Sequence, residues 1–294
     1  MAKKYKFYGF GMYYYWFSKN SLSDDNMIFR KVIYRFFEKE FNDFKIFFIF
    51  CNENWTNNVA FNINENINKN NITNEYNKEN FEKNTYNMLK YFKHPNYYKI
   101  NNKPIFFILH SFLMTDKEID LFYNTANDIL KQNGFDGIEF ILNSWKNNYN
   151  NKYQLYYHEP NYKNPDSSFR KSIFLKDNIK YINYESLIPL IETQQDNNNM
   201  INTIFTNFDN TARLYSHNTI VSTKCVTKTI NNNIDQFKRF LNIQLNKYKN
   251  KQTEISKIFL VNAWNEWGEQ MIMEPSNELG YLYLDTFKNE LLKM

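Results

Sequence analysis

Apolar residues recur along this chain in two alternating patterns. Short, largely apolar runs stand at Tyr8 to Tyr15, Lys45 to Phe50 (KIFFIF), Pro104 to His110 (PIFFILH), Ile138 to Ser144 (IEFILNS) and Lys257 to Trp264 (KIFLVNAW), and regularity returns before the last of them with the more mixed INTIFTNFDN, Ile201 to Asn210. Their length and continuity predict strands buried on both faces. Longer segments lie between them, at Met27 to Phe41, Phe81 to Phe92, Asp116 to Gln132, Ile234 to Tyr248 and Tyr281 to Lys293, with apolar positions three and four residues apart. That spacing predicts helices with one apolar stripe, and Asn133-Gly134 predicts a left-handed cap after the third. The polar segment Asn57 to Asn80 predicts a long loop. Asn147 to Met200 yields only a short strand at Tyr153 to Tyr157 and a helix near Ser186 to Glu192.

Strands that alternate with helices and are apolar throughout predict a parallel sheet covered by helices, as a barrel or a doubly wound sheet. A dinucleotide-binding sheet would carry a Gly-rich phosphate turn after its first strand. Neither a GxGxxG nor a GK[ST] stretch occurs, so the nucleotide-cradling folds lose their support. A barrel instead gathers its chemistry at the C-terminal ends of several strands, and polar residues follow the apolar runs repeatedly here. No Pro- or Gly-rich linker interrupts the rhythm, which predicts one domain over residues 1–294.

Composition narrows the function classes. The 294 residues are 43% hydrophobic and 19% aromatic, with only 6 Gly and 6 Pro, which excludes collagen-like and low-complexity classes. The net charge of +5 arises from 36 basic and 31 acidic residues scattered along the chain, without the basic stripe of a nucleic-acid binder. Cys51 and Cys225 are too few for a disulfide framework or a Cys-based zinc site. His94, His110, His158 and His217 show no HExxH or paired spacing, so no metal and no cofactor are expected. His110 and His158 are pocket candidates because each lies at or near a strand end. No apolar run approaches the roughly 20 residues of a membrane helix. The N-terminus lacks an aliphatic stretch with a small-residue cleavage site, so a cytoplasmic protein is expected.

The densest candidate chemistry is NAWNEWGEQ, Asn262 to Gln270, directly after an apolar run. Glu266 and Glu269 stand three positions apart, flanked by Trp264, Asn265 and Trp267. Glycoside cleavage needs a proton donor and a second carboxylate, and pyranose rings stack on indole faces. CNENWT repeats the design at the end of KIFFIF: Glu53 and Asn54 offer hydrogen bonds to sugar hydroxyls, and Trp55 offers a ring. The bland alternative makes Asn52 or Asn54 a helix cap and buries Trp55. In NFDNTAR, Asp209 and Arg213 follow another apolar run, where a structural ion pair competes with ligand binding. YYYWF near the N-terminus, which includes Tyr14, supplies further rings.

The order of these motifs resembles the WbsX-like family, which is similar to the endo-α-mannosidases of glycoside hydrolase family 99. Matching stretches are AKKYKFYGFGMYYYWF, FCNENWT, YFKHPNYYKINNKPIFFI, NGFDGIEF, FDNTAR and NAWNEWGEQMIMEPSNELGYLYL. The resemblance implies a (β/α)8 TIM-barrel-like α/β fold acting on a glycan or polysaccharide. It further implies Glu269 as general acid/base and Glu266 as the group that deprotonates the sugar 2-hydroxyl, giving retaining cleavage through an anhydro-sugar. Glu53, Asn54, Trp55, Asp209, Arg213, Trp264, Asn265, Trp267 and Tyr14 fall where substrate-binding residues are expected; relatives commonly carry His at the position of Tyr14. Aligned on the family, Met1 falls at the end of its first helix, so a barrel lacking its first β/α unit is expected. A partner chain supplying that strand in trans would then produce an oligomer. Two other functions stay open: a WbsX-type glycosyltransferase in surface polysaccharide assembly, and an inactive glycan-binding remnant.

Overall fold

The computed structural model of the chain describes residues 1–20, 26–39, 43–55, 72–143, 152–156, 173–176, 179–193, 198–216, 219–220 and 226–294. They divide into two compact units, an N-terminal one over Ala2–Leu155 and a C-terminal one over Tyr156–Met294 with Met1.

The N-terminal unit is built from β1 (Gly9–Trp16), β2 (Met27–Ile28), α1 (Arg30–Phe37), β3 (Lys45–Phe50), α2 (Lys78–Phe92), β4 (Lys103–Ile108), α3 (Asp116–Gln132) and β5 (Glu139–Asn143). Strands β1, β3, β4 and β5 are parallel neighbours in that order. Each is followed by a helix before the next, so the sheet winds in one direction with no reversal of order. A doubly wound sheet reverses, and its ligand crevice lies at the reversal; a barrel keeps one direction. β2 adds an antiparallel pair at Tyr15 and Trp16 on the outer side of β1.

Side chains alternate across these strands, and both faces are filled with rings. On the face covered by α2 and α3, Tyr14 stacks on Phe48 at 4.9 Å, and Phe122 of α3 meets Phe50, Phe106 and Phe140. Phe81 of α2 stacks on Phe122 at 4.4 Å, joining the helices. Full burial of one such side chain contributes about 1.5–3 kcal/mol. The opposite face holds Phe47 stacked on Phe107 at 4.6 Å. Gly11 lies beside that pair, where a Cβ would stand 2.7 Å from the Phe47 ring and 2.8 Å from Ile49 Cδ1. The bulk on β3 is thus matched by its absence on β1.

The expected helix at Met27 to Phe41 is shorter in the structure. Met27 and Ile28 join the sheet as β2, and Phe29 takes a left-handed φ of 55°, so helical dihedrals begin only at Arg30. Helix α2 starts inside the predicted loop, with Asn77 accepting from the Asn80 amide at 3.0 Å. Asn80, which reads as a loop residue, is here an interior one, as is Asn84 of the predicted helix: they are buried and accept hydrogen bonds from Trp16 Nε1 at 2.9 Å and the Tyr14 hydroxyl at 2.7 Å. The rest of that predicted loop, 56–71, lies outside the described residues. Helix α3 has the predicted bounds, opened by a Thr115/Glu118 capping box and followed by Gly134 at φ 87°.

The C-terminal unit contains β6 (Ile179–Asn183), α4 (Tyr184–Thr193), β7 (Met200–Phe205), α5 (Thr211–Leu214), β8 (Val226–Ile230), α6 (Ile234–Lys249), β9 (Phe259–Asn262), β10 (Asn265–Glu266), β11 (Met271–Ile272) and α7 (Leu282–Leu291). β7 and β9 are parallel neighbours, with Phe205 opposite Asn262. α6 connects to this pair through Asn202 Nδ2, which donates to Gln244 Oε1 at 2.6 Å. Tyr184 at the start of α4 donates from its hydroxyl to the Phe205 carbonyl at 2.8 Å. α7 packs on α6 through Phe237 and Tyr283, 4.9 Å apart. β6 and β8 form a second parallel pair, and β10 and β11 a short hairpin. Among the described residues no helix is long and apolar enough to cross a membrane.

Candidate functional site

Chemically capable residues collect at strand C-terminal ends in each unit. In the N-terminal unit, β3 runs out into Cys51, Asn52, Glu53, Asn54 and Trp55, and β4 into Leu109, His110 and Ser111. Asn52 is fully buried and joins the two ends: its Oδ1 accepts from the His110 amide at 2.9 Å, while its Nδ2 donates to the His110 carbonyl at 3.0 Å. The Tyr76 hydroxyl donates to the Asn52 carbonyl at 2.8 Å, and burial pushes that phenol up to about 12. The next strand repeats the device. Asn143 at the end of β5 donates to the Leu109 carbonyl at 2.9 Å, and Ser111 donates to the Asn143 carbonyl at 2.7 Å. These amides satisfy backbone groups that would otherwise be left unpaired where the sheet ends.

On this mount Glu53 Oε2 lies 3.3 Å from His110 Nε2, with both side chains roughly a quarter to a third exposed. Burial opposes ionisation of Glu53, but the imidazole, its own backbone amide and the Trp55 side chain outweigh it and hold the carboxyl below its ordinary value. The neighbouring Cys51 thiol is pushed up by burial and by the Glu53 charge, which removes it as a nucleophile. Trp55 sits in an aromatic group with its ring 5.2 Å from Tyr15, 5.3 Å from Phe17 and 6.1 Å from Phe29. Its backbone forms an isolated antiparallel bridge to Ile72, and Asn54 Oδ1 accepts from the Asn74 amide at 2.7 Å. Asn54 therefore fixes the returning chain segment instead of capping a helix.

Tyr14 is the one expected binding residue that the structure removes from the strand-end surface. It is fully buried on the helix side of β1, its hydroxyl held between Asn84 at 2.7 Å and Asn87 at 3.1 Å. Alternation places Tyr13 and Tyr15 on the other face of the strand.

In the C-terminal unit the two candidate segments follow β7 and β9, which are adjacent. After β9, Trp264 leads into the β10–β11 hairpin, with Glu266 opposite Met271 and a single helical turn over Trp267–Glu269 between the strands. Gln270 closes the turn at φ 61°. The Ile272 amide donates to Thr206 Oγ1 at 3.0 Å, and the Asp209 amide donates to the Glu269 carbonyl at 2.8 Å. The strand ends are thereby tied together, and α5 packs against the Glu269 turn. Glu266, Glu269 and Trp264 are half-buried, whereas Asn265 and Trp267 are exposed, and Trp267 Nε1 donates to Glu274.

Asp209 pairs with Lys228 on β8 at 3.0 Å and accepts from the Thr211 amide at 2.9 Å. Burial raises its carboxyl, but Thr211 and Lys228 more than offset this and leave it below its ordinary value. The ion partner that the structure gives Asp209 is Lys228, a residue with no sequence signal, and not the Arg213 of the sequence reading. The side chain of Arg213 and the residues His158, His217 and Cys225 lie outside the described residues. Among the described residues no group of His, Cys, Asp and Glu is arranged to hold a metal.

The family model described as "Glycosyltransferase WbsX" matches residues 1–287. No curated protein matches the chain. Among solved structures, a GH99 endo-alpha-mannosidase from Bacteroides thetaiotaomicron, solved in complex with BIS-TRIS-propane, is similar with a TM-score of 0.57 at 14% identity, over 99% of this chain and 80% of that one. A further structure of the GH99 endo-alpha-mannosidase from Bacteroides thetaiotaomicron gives 0.54 at 14%, over 99% and 76%. A "Glycoside hydrolase-like protein" gives 0.53 at 17%, over 84% and 70%. The fold is therefore a mixed α/β fold of the GH99 type.

Proposed function

The chain belongs to the WbsX glycosyltransferase family, and from that premise we propose that it is a carbohydrate-active enzyme that cleaves glycosidic bonds in polysaccharides with retention, in the manner of an endo-mannosidase. The observation that carries the reading is the Glu266–Glu269 turn after β9, tied to the Asp209 segment after the adjacent parallel strand β7. Two carboxylates three residues apart on one tight turn, beside half-buried Trp264, are what a glycoside-cleaving centre requires. The proposed architecture is one (β/α)8-like barrel over residues 1–294.

In this reading Glu269 donates its proton to the glycosidic oxygen as the bond to the anomeric carbon breaks. Glu266 takes the proton of the sugar 2-hydroxyl, and the freed oxygen attacks the anomeric carbon to close an anhydro ring. Water then opens the ring, giving its proton to Glu269, while the 2-oxygen recovers its proton from Glu266. Both carboxyls end as they began, and two inversions give net retention. Trp264, Asn265, Trp267, Asp209 and Arg213 are the proposed substrate contacts in this unit, and Glu53, Asn54 and Trp55 those in the other.

The name of the family favours a second reading, transfer of a sugar to a growing surface polysaccharide. It uses the same carboxylates with a carbohydrate hydroxyl in place of water. A single assay separates the readings: purified protein is incubated with mannans and bacterial polysaccharides, with and without acceptor oligosaccharides, and products are followed by mass spectrometry. Hydrolysis predicts shorter glycans without acceptor, and transfer predicts product only with it. Glu269→Gln is expected to lower either rate by about a hundredfold or more, and an unchanged rate would remove Glu269 from the chemistry.

A further inference from the structure

Glu53 and His110 come from different strands, and the hydrogen bonds that tie those strand ends together are made by other groups. The Asn52 amide holds the His110 backbone at both its N–H and its carbonyl. The carboxylate and the ring are therefore not needed to close the sheet. Glu53 Oε2 is buried 3.3 Å from His110 Nε2 but has no aligned hydrogen bond, and His110 Nδ1 is likewise buried without a hydrogen-bond partner among the described residues. A buried polar atom left this way costs free energy, which is tolerated where a ligand supplies the missing partner.

We propose that Glu53 and His110 form one recognition unit for a sugar hydroxyl, the hydroxyl donating to Glu53 Oε2 and accepting from the His110 ring N–H. A hydroxyl is the smallest group that donates and accepts at once, so it satisfies a carboxylate and an imidazole side by side. The carboxylate repels phosphate and carboxylate ligands, which excludes anions. Among the described residues no third His, Cys, Asp or Glu joins the pair to hold a cation. The indole of Trp55, in contact with the Glu53 carboxyl, supplies the apolar surface against which the C–H face of a pyranose packs. The choice of a sugar as ligand rests on the carbohydrate-active reading above, while the pairing of the two groups rests on their geometry alone.

Titration calorimetry with manno-oligosaccharides tests this on the full chain carrying Glu269→Gln, so that the probe is not consumed. His110→Phe is expected to weaken binding about tenfold or more, and His110→Gln, which keeps a donor and an acceptor, to recover most of the loss. Glu53→Gln, which keeps the shape and removes the charge, is expected to weaken binding by a similar factor in a chain that still unfolds cooperatively. Binding by His110→Phe and Glu53→Gln equal to that of the parent would overturn the proposal, as would failure of the parent to bind any neutral oligosaccharide of a mixed hexose panel. The catalytic reading fails separately, when Glu269→Gln leaves turnover intact while the oligosaccharide still binds.

Discussion

Tyr14 and Glu53 lie close in the fold and answer to opposite demands. The Tyr14 hydroxyl serves one buried and one half-buried amide of α2, so Tyr14→Phe takes a partner from Asn84 and Asn87 and is expected to lower stability by about 1–3 kcal/mol. Urea unfolding measures this, and oligosaccharide affinity should not move. Glu53 is the titrating member. Its carboxyl is held below its ordinary value in the folded chain, so it contributes stability above the unfolded-state value, near ~4.3, and loses that contribution as pH falls through the lower folded value. Glu53→Gln should therefore flatten the acid limb of the stability profile between those two values and leave the neutral region less affected by pH, as read by melting temperature against pH. The chemical character of Glu53 and Trp55 is legible in CNENWT because a carboxylate, amides and an indole follow an apolar strand. The facing of YYYW is not: a period of two separates Tyr13 and Tyr15 from Tyr14 and Trp16 but does not say which pair meets the helices.

At the level of elements, the strand and helix rhythm carries most of the information, since runs such as KIFFIF and PIFFILH have one stable use as buried parallel strands. Where the reading fails, asparagine is the cause. Asn77 and Asn80 look like loop residues, yet one caps α2 and the other bonds Trp16 in the interior. Asn52, open as a helix cap, and Asn143, inside a predicted strand, each bridge neighbouring strand ends. Asn52→Ala removes the partners of the His110 amide and carbonyl together, and is expected to cost about 2–4 kcal/mol. Thr115→Ala, which opens the capping box of α3 at an exposed position, should cost only about 1 kcal/mol. Chemical denaturation of the two variants side by side checks the order. Gly11→Ala tests the match between β1 and β3: a methyl pressed against Phe47 and Ile49 is expected to destabilise by about 1–3 kcal/mol.

For the molecule as a whole, the direction of winding was within reach of the sequence, because no phosphate turn follows the first strand and chemistry recurs after several strands. The partnership of Glu53 with His110 was not, since it joins residues 57 positions apart through the register of β3 and β4. The pairing of Asp209 with Lys228 was hidden for the same reason. Charge balance makes a further prediction at this scale. With a net charge of +5 spread over scattered residues, affinity for a neutral polysaccharide should change less than about twofold between roughly 50 and 500 mM salt, whereas a nucleic-acid ligand would lose orders of magnitude. Pull-down across a salt series reads this directly.

The strand ends of the N-terminal unit are joined by carboxamides, and a carboxamide has no proton to gain or lose over the range in which proteins stay folded. Acidification therefore reaches the carboxylate that the amides carry and leaves the amides themselves untouched. The bench is deaf to pH while the tool clamped in it is not, so a loss of sugar binding at pH below the ordinary glutamate range should be fully reversed by neutralisation, with no refolding required.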